Sequence, residues 1–351
     1  MSIVTANESA SMAAPAFDVV IVSDFSPPVA RRFEIMTLLF LASWLECDQN
    51  RDLPLHIACI GDVPDSVRSL GSRCGARITT HEPLFVGGFA NKLRGFEVDR
   101  QTDHMLLMDC DMLVLSDIHG LLSDLGCDCI AGSASIGRCR VPNDRWSRVH
   151  EALGIPFPED QVIPINLALD TFQCAIYRDS DYFPPYYHGG MLFAPWSSGL
   201  GEMWHDHLHR IFAIDPDIKG PGGLPSNQPS LATAITEMQR QGWEFRFIPD
   251  AYHVHWQHMA AGTVCWNEAK MHHTVGFGRW PTRPGKEHRG DEQVDTYLAN
   301  IIGLTKRLRS HRNPFTRIAH YFTRHPQIQD CHRAHALMKS LYEKHVRDLT
   351  Q

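Results

Sequence analysis

Apolar residues fall along this chain in short, nearly unbroken runs separated by longer stretches of helical spacing. The run "FDVVIVSD" (17–24) reads as a strand buried on both faces. "ARRFEIMTLLFLASWLECD" (30–48) has the spacing and length of a helix. "LPLHIACIGD" (53–62) and "ARITTHEP" (76–83) predict a second and a third strand, and "FANKLRGFEVD" (89–99) a helix. "HMLLMDCDMLVL" (104–115) and "CDCIAGSA" (127–134) predict further strands. Alternation of this kind predicts an α/β fold with a mostly parallel central sheet and helices on both faces. Such sheets bind ligands beyond the carboxyl ends of their strands, where Asp24, Asp62, Asp109 and Asp111 all fall.

Residues 138–186 are rich in proline and charge with weak periodicity, and read as an insertion that carries substrate contacts. "YYHGGMLFAPW" (186–196) predicts a strand entered through glycines, "GLGEMWHDHLHRIFAI" (199–214) a helix, and "GPGGLPSNQPS" (220–230) a loop leading into a helix over 231–242. "WEFRFIPD" (243–250) predicts a strand, and "KMHHTVGFGRWP" (270–281) starts as a strand and ends as a loop. From about 296 the pattern is helical; Ala334, Leu337, Met338, Leu341 and Leu349 recur at helical steps in 331–349. The domain expectation is a disordered leader over 1–16, one large domain over 17–290 and a basic helical extension over 291–351.

Composition changes this picture in two places. Net charge is −7, yet residues 301–351 hold ten Lys/Arg against three Asp/Glu, leaving −14 for the rest. A basic tail of this kind either docks on the acidic body or touches an anionic membrane, and docking is the expectation. The ten cysteines are scattered, several in apolar runs, and read as buried free thiols of a reducing compartment. The start of the chain lacks the basic and apolar blocks of a signal peptide. The expected location is the cytoplasm, with the inner membrane face as a peripheral site.

Candidate chemistry starts at Asp109 and Asp111, at the end of an apolar strand. Side chains two apart on a strand share a face, and two neighbouring carboxylates share a proton or bind a cation; a cation is the expectation. In "HHTVGFGRW", an imidazole from His272 or His273 could complete such a site for a borderline ion like Mn2+, whereas Mg2+ prefers oxygen. Gly276 would let backbone N–H groups approach a phosphate, and Arg279 would meet its charge. Lys92 in "NKLRGF" is a further cation, with Arg94 equally placed by charge alone. His205, His207 and His209 read as a solvated helix surface, while His253 and His255 alternate on a strand and are candidates to line an acceptor pocket.

The order N-K-L, D-C-D-M-L-V-L-S-D-I, Y-H-G-G-M-L, N-Q-P-S-L and H-T-V-G-F-G-R-W, spread over 17–282, resembles the family 8 retaining glycosyltransferases of the GT-A fold. The resemblance implies a single GT-A, Rossmann-like nucleotide-sugar-binding domain. It implies that Asp109, Asp111 and His273 bind Mn2+, with Mg2+ as the substitute, and that a UDP-sugar is the donor. It places Lys92 where the family usually has an arginine near the donor sugar and phosphates. Gly276 and Arg279 stand where it has the glycine and lysine of the diphosphate cradle, and Asp24 matches an aspartate that contacts uracil. Phe25 stands in for an aromatic that stacks near the base.

The chain also departs from the family pattern. Its Asn-x-Gly is His188-Gly189-Gly190 here, its Asp-Gln is Asn227-Gln228, and its final Pro-Trp is reversed as Trp280-Pro281. His188 and Gly190 thus fall at the donor sugar, and Asn227 and Gln228 at the catalytic position. Both are neutral amides and poor nucleophiles, which favours attack on the face from which the diphosphate leaves over a covalent intermediate. The acceptor class is left open: a saccharide, a lipid-linked glycan or a small molecule, with no nucleic acid. Two other readings fit a D-x-D strand end: a haloacid-dehalogenase-like phosphatase with Asp109 as nucleophile, and a binding protein without turnover.

Overall fold

The structure, a computed structural model, describes residues 16–84, 88–134, 143–156, 187–214, 227–255, 264–274 and 328–350. Gly276, Arg279, residues 1–15 of the leader, most of the insertion and residues 291–327 lie outside these.

The strands are β1 (Asp18–Asp24), β2 (Leu55–Ile60), β3 (Arg77–His81), β4 (His104–Asp109), β5 (Met112–Val114), β6 (Cys129–Ala134), β7 (Tyr187–Pro195), β8 (Glu244–Phe247), β9 (Val254–His255) and β10 (Met271–His273). The helices are α1 (Ala30–Glu46), α2 (Asp65–Arg73), α3 (Gly120–Leu125), α4 (Asn143–Leu153), α5 (Leu200–Ile214), α6 (Asn227–Arg240) and α7 (Ile328–Leu341). Seven strands form one sheet in the order β3-β2-β1-β4-β7-β6-β8, and β5-β10-β9 form a small second sheet. In the large sheet β7 runs antiparallel to both of its neighbours, and the remaining pairs are parallel. The fold is therefore α/β with a mostly parallel central sheet.

Continuous apolar runs arise because the large sheet is covered on both faces. In β1, Val19 and Ile21 join the core on the α1 side, while Val20 and Val22 join the core on the α5–α6 side. In β4, Leu106 and Met108 face the first core and Met105 and Leu107 the second. This pleat aims the strand-end residues. Asp24 and Asp109 continue the series of Val22 and Leu107, on the α5–α6 side. A tight helical segment, Gly88–Glu97, packs on that face. It is a 3-10 helix rather than the α-helix its spacing suggests.

Two boundaries differ from the sequence expectation. The run over 104–115 is two strands, because the chain turns at Cys110–Asp111 and β5 joins the second sheet. Helix α6 begins at Asn227 instead of 231, so Asn227 and Gln228 open a helix and are not loop residues.

At the far end of the sheet, Asp18 is fully buried. Its carboxylate accepts hydrogen bonds from His56 Nε2 (3.3 Å), Gln101 N (2.9 Å), Thr102 N (3.2 Å) and Trp196 Nε1 (3.0 Å). Burial alone raises its pKa, but these four donors outweigh burial and hold it below the ordinary 3.8. A depressed folded pKa adds stability that is present above the unfolded value and fades as pH falls through the folded one. Asp18→Asn is expected to lower stability by about 1–3 kcal/mol at pH 7. Urea titrations at falling pH should show this gap close below the ordinary value of 3.8.

The described part of the C-terminal extension packs on the body. Ala334, Met338, Leu341, Tyr342 and Val346 are buried in the core on the α1 side, with Leu337 and Leu349 partly buried against it. Lys344 and His345 meet Glu46 at 2.6 and 2.5 Å. No helix among the described residues is long and apolar enough to cross a membrane. Cys47, Cys59, Cys74, Cys110, Cys127, Cys129 and Cys265 are free thiols, and burial pushes Cys59 and Cys74 up to about 12.

Candidate metal and donor site

Two distant segments meet at the carboxyl end of β4. Asp109 is its last residue and Asp111 sits in the turn that follows. Strand β10 pairs antiparallel with β5, with His273 opposite Met112. Thr274 then clamps the turn, its N–H and Oγ1 both donating to the Asp111 carbonyl at 2.9 and 2.7 Å. His273 Nε2 consequently lies 3.0 Å from Asp111 Oδ1 and 3.8 Å from Asp109 Oδ2. The two aspartates converge through this turn and the second sheet, not through the pleat of a single strand.

The site is electrostatically tight. Burial raises the pKa of Asp111, but His273 first, then Arg32 and Lys92, hold it well below the usual carboxylate range. Asp109 is ion-paired with Lys92, whose Nζ also donates to the Gly189 carbonyl at 3.0 Å. Arg32, near the start of α1, escaped the sequence reading; its only trace there is a pair of arginines beside an otherwise apolar helix.

The glycines of β7 make room for this arrangement. β7 pairs with β4 so that Met191 lies opposite Met108, which puts Gly190 across from Asp109. A Cβ on Gly190 would fall 2.5 Å from Asp109 Oδ2 and 2.5 Å from His188 Cε1. On the other edge one step of β6, Gly132 to Ser133, spans four of β7, Leu192 to His188. That irregularity releases Gly189–Met191 from regular pairing with β6 beside the carboxylates. Gly190 N–H donates to His188 Nδ1 at 3.0 Å. At Gly189, by contrast, the first contact of a Cβ would be Asn227 Nδ2 at 3.6 Å, so the amide of Asn227 faces this strand. The Asn227 carbonyl accepts from Trp204 Nε1 at 3.0 Å and Ser230 Oγ at 2.9 Å, while Gln228 is half-exposed.

Asp24 lies at the same end of the sheet. Its Oδ1 accepts from Ser26 N (3.0 Å) and its Oδ2 from Asn91 Nδ2 (2.9 Å). Asn91 Oδ1 in turn accepts from Leu84 N at 2.8 Å. Oδ2, through Asn91, thus ties β1 to the segment that carries Lys92. Phe25 requires a correction. It follows the Val19, Ile21, Ser23 series, so its ring turns into the core on the α1 side and is only 3% exposed, with no open face for a base to stack on.

Among the other histidines, His207 is buried and not solvated. Its Nδ1 lies 3.0 Å from Thr233 Oγ1, and burial pushes it down to about 4. Its helix presents Trp204, Leu208 and Ile211 to the core, a period in which His207 could have been read. His205 and His209 pair on the exposed face at 3.3 Å. His272 is buried, with Nδ1 donating to the Val254 carbonyl at 2.9 Å, which leaves His273 alone facing the aspartates.

The chemistry of the donor set fits a divalent cation. Two carboxylate oxygens and one imidazole nitrogen come within 4.8 Å of one another. Among the described residues, the direct partners of the two carboxylates are Lys92, on Asp109, and the His273 imidazole, which reaches both. Mixed oxygen and imidazole ligands suit Mn2+, and Mg2+ less well.

No known family's sequence pattern matches the chain, and no curated protein matches it. Solved glycosyltransferases resemble it. An active-site mutant of LgtC is 13% identical, with 80% of this chain and 96% of that one covered at a TM-score of 0.47. Mouse xyloside xylosyltransferase 1, in its apo form, is 9% identical over 73% of this chain and 97% of that one, at 0.42. The glycosyltransferase GlyE of Streptococcus pneumoniae TIGR4 is 12% identical, with 80% of this chain and 61% of that one covered, at 0.43. Likeness at this level concerns the path of the chain; function has to come from the residues.

Proposed function

We propose that this protein is a metal-dependent glycosyltransferase that moves a sugar from a nucleoside-diphosphate donor, a UDP-sugar in preference, to an acceptor hydroxyl with retention. The observation that carries the reading is His273 Nε2 at 3.0 Å from Asp111 and 3.8 Å from Asp109, three ligands drawn from two distant segments at the carboxyl end of a central strand. Asp109, Asp111 and His273 hold the cation, which when bound neutralises charge on the leaving diphosphate.

The chain's own groups have distinct parts. Lys92 and Arg279 meet the charge that develops as the diphosphate departs, interactions stronger in the transition state than in the ground state. Gly276 and Arg279 lie two and five residues after Thr274, which is anchored to Asp111. Gly190 and His188 border the donor sugar. Asp24 keeps the Lys92 segment in place at the nucleoside end. Asn227 and Gln228 orient the sugar without forming a bond to it, since a neutral amide is a poor nucleophile. The acceptor oxygen then attacks on the face from which the diphosphate leaves, and a departing phosphate oxygen takes its proton.

A panel of nucleotide sugars with Mn2+, read by thermal shift and by release of nucleoside diphosphate, tests this. A UDP-sugar should raise the melting temperature only with Mn2+ and be turned over slowly. Stabilisation by no nucleotide sugar, or a phosphorylated Asp109 trapped from a phosphate ester, would rule the reading out.

A further inference from the structure

Asp109 and Asp111 face one side of His273; other imidazoles face its opposite side. His188 stands near the start of β7, His253 immediately before β9, His255 ends β9 and His273 ends β10. Parallel pairing of β9 with β10 sets His255 beside His273. His253 lies with its ring centroid 5.0 Å from that of His188, 4.5 Å from that of His255 and 5.0 Å from that of His273. His188 and His273 are 5.2 Å apart by the same measure. His253, His255 and His273 are buried and His188 half-buried.

Neutral imidazole is the commonest ligand of borderline transition metals. His188, His253 and His273 each offer a ring nitrogen, all within 4.8 Å of one another. His253 Nε2 and His273 Nδ1 are 3.0 Å apart, close to the separation of neighbouring nitrogens around a tetrahedral ion with bonds of about 2.0–2.1 Å. The lone pair of His188 is at Nδ1, where it accepts the Gly190 N–H, and an ion would take it in exchange for that one hydrogen bond.

We propose that His188, His253 and His273 form a second metal site, for a transition-metal ion of the Zn2+ or Co2+ class, which shares His273 with the aspartate site and so opposes metal binding there. The proposal concerns metal binding alone and stands independently of the glycosyl-transfer reading. Opposition follows from the lone pairs. A neutral imidazole has one acceptor nitrogen and one N–H. When Nε2 of His273 binds an ion held by the aspartates, Nδ1 carries the proton and donates to His253, so the histidine site lacks a ligand. When Nδ1 binds an ion among the histidines, Nε2 keeps the proton and donates to Asp111, and the carboxylates lose their third ligand. One tautomer serves each site. Three imidazoles suit Zn2+ and Co2+, whereas two carboxylates with one imidazole suit the harder Mn2+.

The test titrates the full chain with Zn2+ alone, with Mn2+ alone, and with Mn2+ after Zn2+. His205→Ala is present in every arm to remove the exposed His205–His209 pair. We expect one Zn2+ per chain, an X-ray absorption spectrum with three imidazole ligands, and Mn2+ affinity lowered about tenfold or more by Zn2+. His188→Leu should weaken Zn2+ binding by at least about 100-fold, the upper end of the loss seen when only an outer partner is removed, and should retain the Mn2+ site. Asp109→Asn with Asp111→Asn should do the reverse. A bound Zn2+ with carboxylate oxygens and a single imidazole would overturn the proposal, as would unchanged Zn2+ affinity in His188→Leu. The spectrum of the otherwise unaltered chain decides the matter even if a variant fails to fold.

Discussion

Asp111→Asn is expected to cost about 10²–10³-fold in metal-dependent turnover, the scale on which one preorganised charge partner of a transition state contributes. Asparagine keeps the size of the side chain and one oxygen but removes the charge that His273, Arg32 and Lys92 surround. The Asp111 main chain, which receives both Thr274 bonds, is unchanged, so the turn should survive. His273→Ala should give a loss of the same order by taking away the imidazole ligand. Initial-rate measurements over a range of Mn2+ concentrations check both: the metal-dependent component should vanish while circular dichroism and melting stay near those of the parent. A variant that keeps most of its Mn2+-dependent rate would remove Asp111 from the site.

Gly190→Ala should be nearly as damaging by a purely steric route. The φ of Gly190 is not in the left-handed region, so alanine meets no backbone strain there. Its Cβ would nevertheless stand 2.5 Å from Asp109 Oδ2 and 2.5 Å from the His188 ring. The strand is fixed by pairing with β4 on one side, so the carboxylate has to move. Displacements of about 1 Å at such a site cost on the order of 10²-fold. Gly189→Ala is the matched comparison, because its Cβ makes only ordinary contact, 3.6 Å from Asn227 Nδ2. Steady-state kinetics should therefore separate two neighbouring glycines, with Gly190→Ala depressed about 10²-fold and Gly189→Ala much closer to the parent. Equal effects would show that space around Asp109 is not what Gly190 provides.

How far the sequence could be read depended on whether local pattern or distant pairing decides the structure. Strands β1 and β2 and helix α1 were legible because both faces of the sheet are buried, which leaves apolar runs that need no partner to be recognised. The break after Asp109 was not legible: Met112, Leu113 and Val114 continue the hydrophobic run, and only pairing with residues some 160 positions later puts them in another sheet. Phe25 was misread because its aromatic character suggested stacking, whereas the alternation from Val19 and Ile21 already aimed it at the core. His253 and His255 were paired correctly by period two. Nothing in the local sequence could add His188, which reaches them through the order of β7, β4 and β6 and the irregularity at Gly132–Ser133.

Arg32 illustrates the same limit on charge. Its influence on Asp111 exists because α1 follows β1 directly and β1 lies beside β4 in the sheet. Lys92 meets Asp109 for a related reason: Asp24, through Asn91, fixes the segment between them.

The most direct examination of the central claim is a crystal structure of the full chain grown with Mn2+ and UDP, with anomalous diffraction collected at the manganese edge. The account predicts a peak within bonding distance of Asp109, Asp111 and His273 Nε2, with the diphosphate on its open side. A manganese peak elsewhere, or a diphosphate bound away from the carboxyl end of β4, would contradict it.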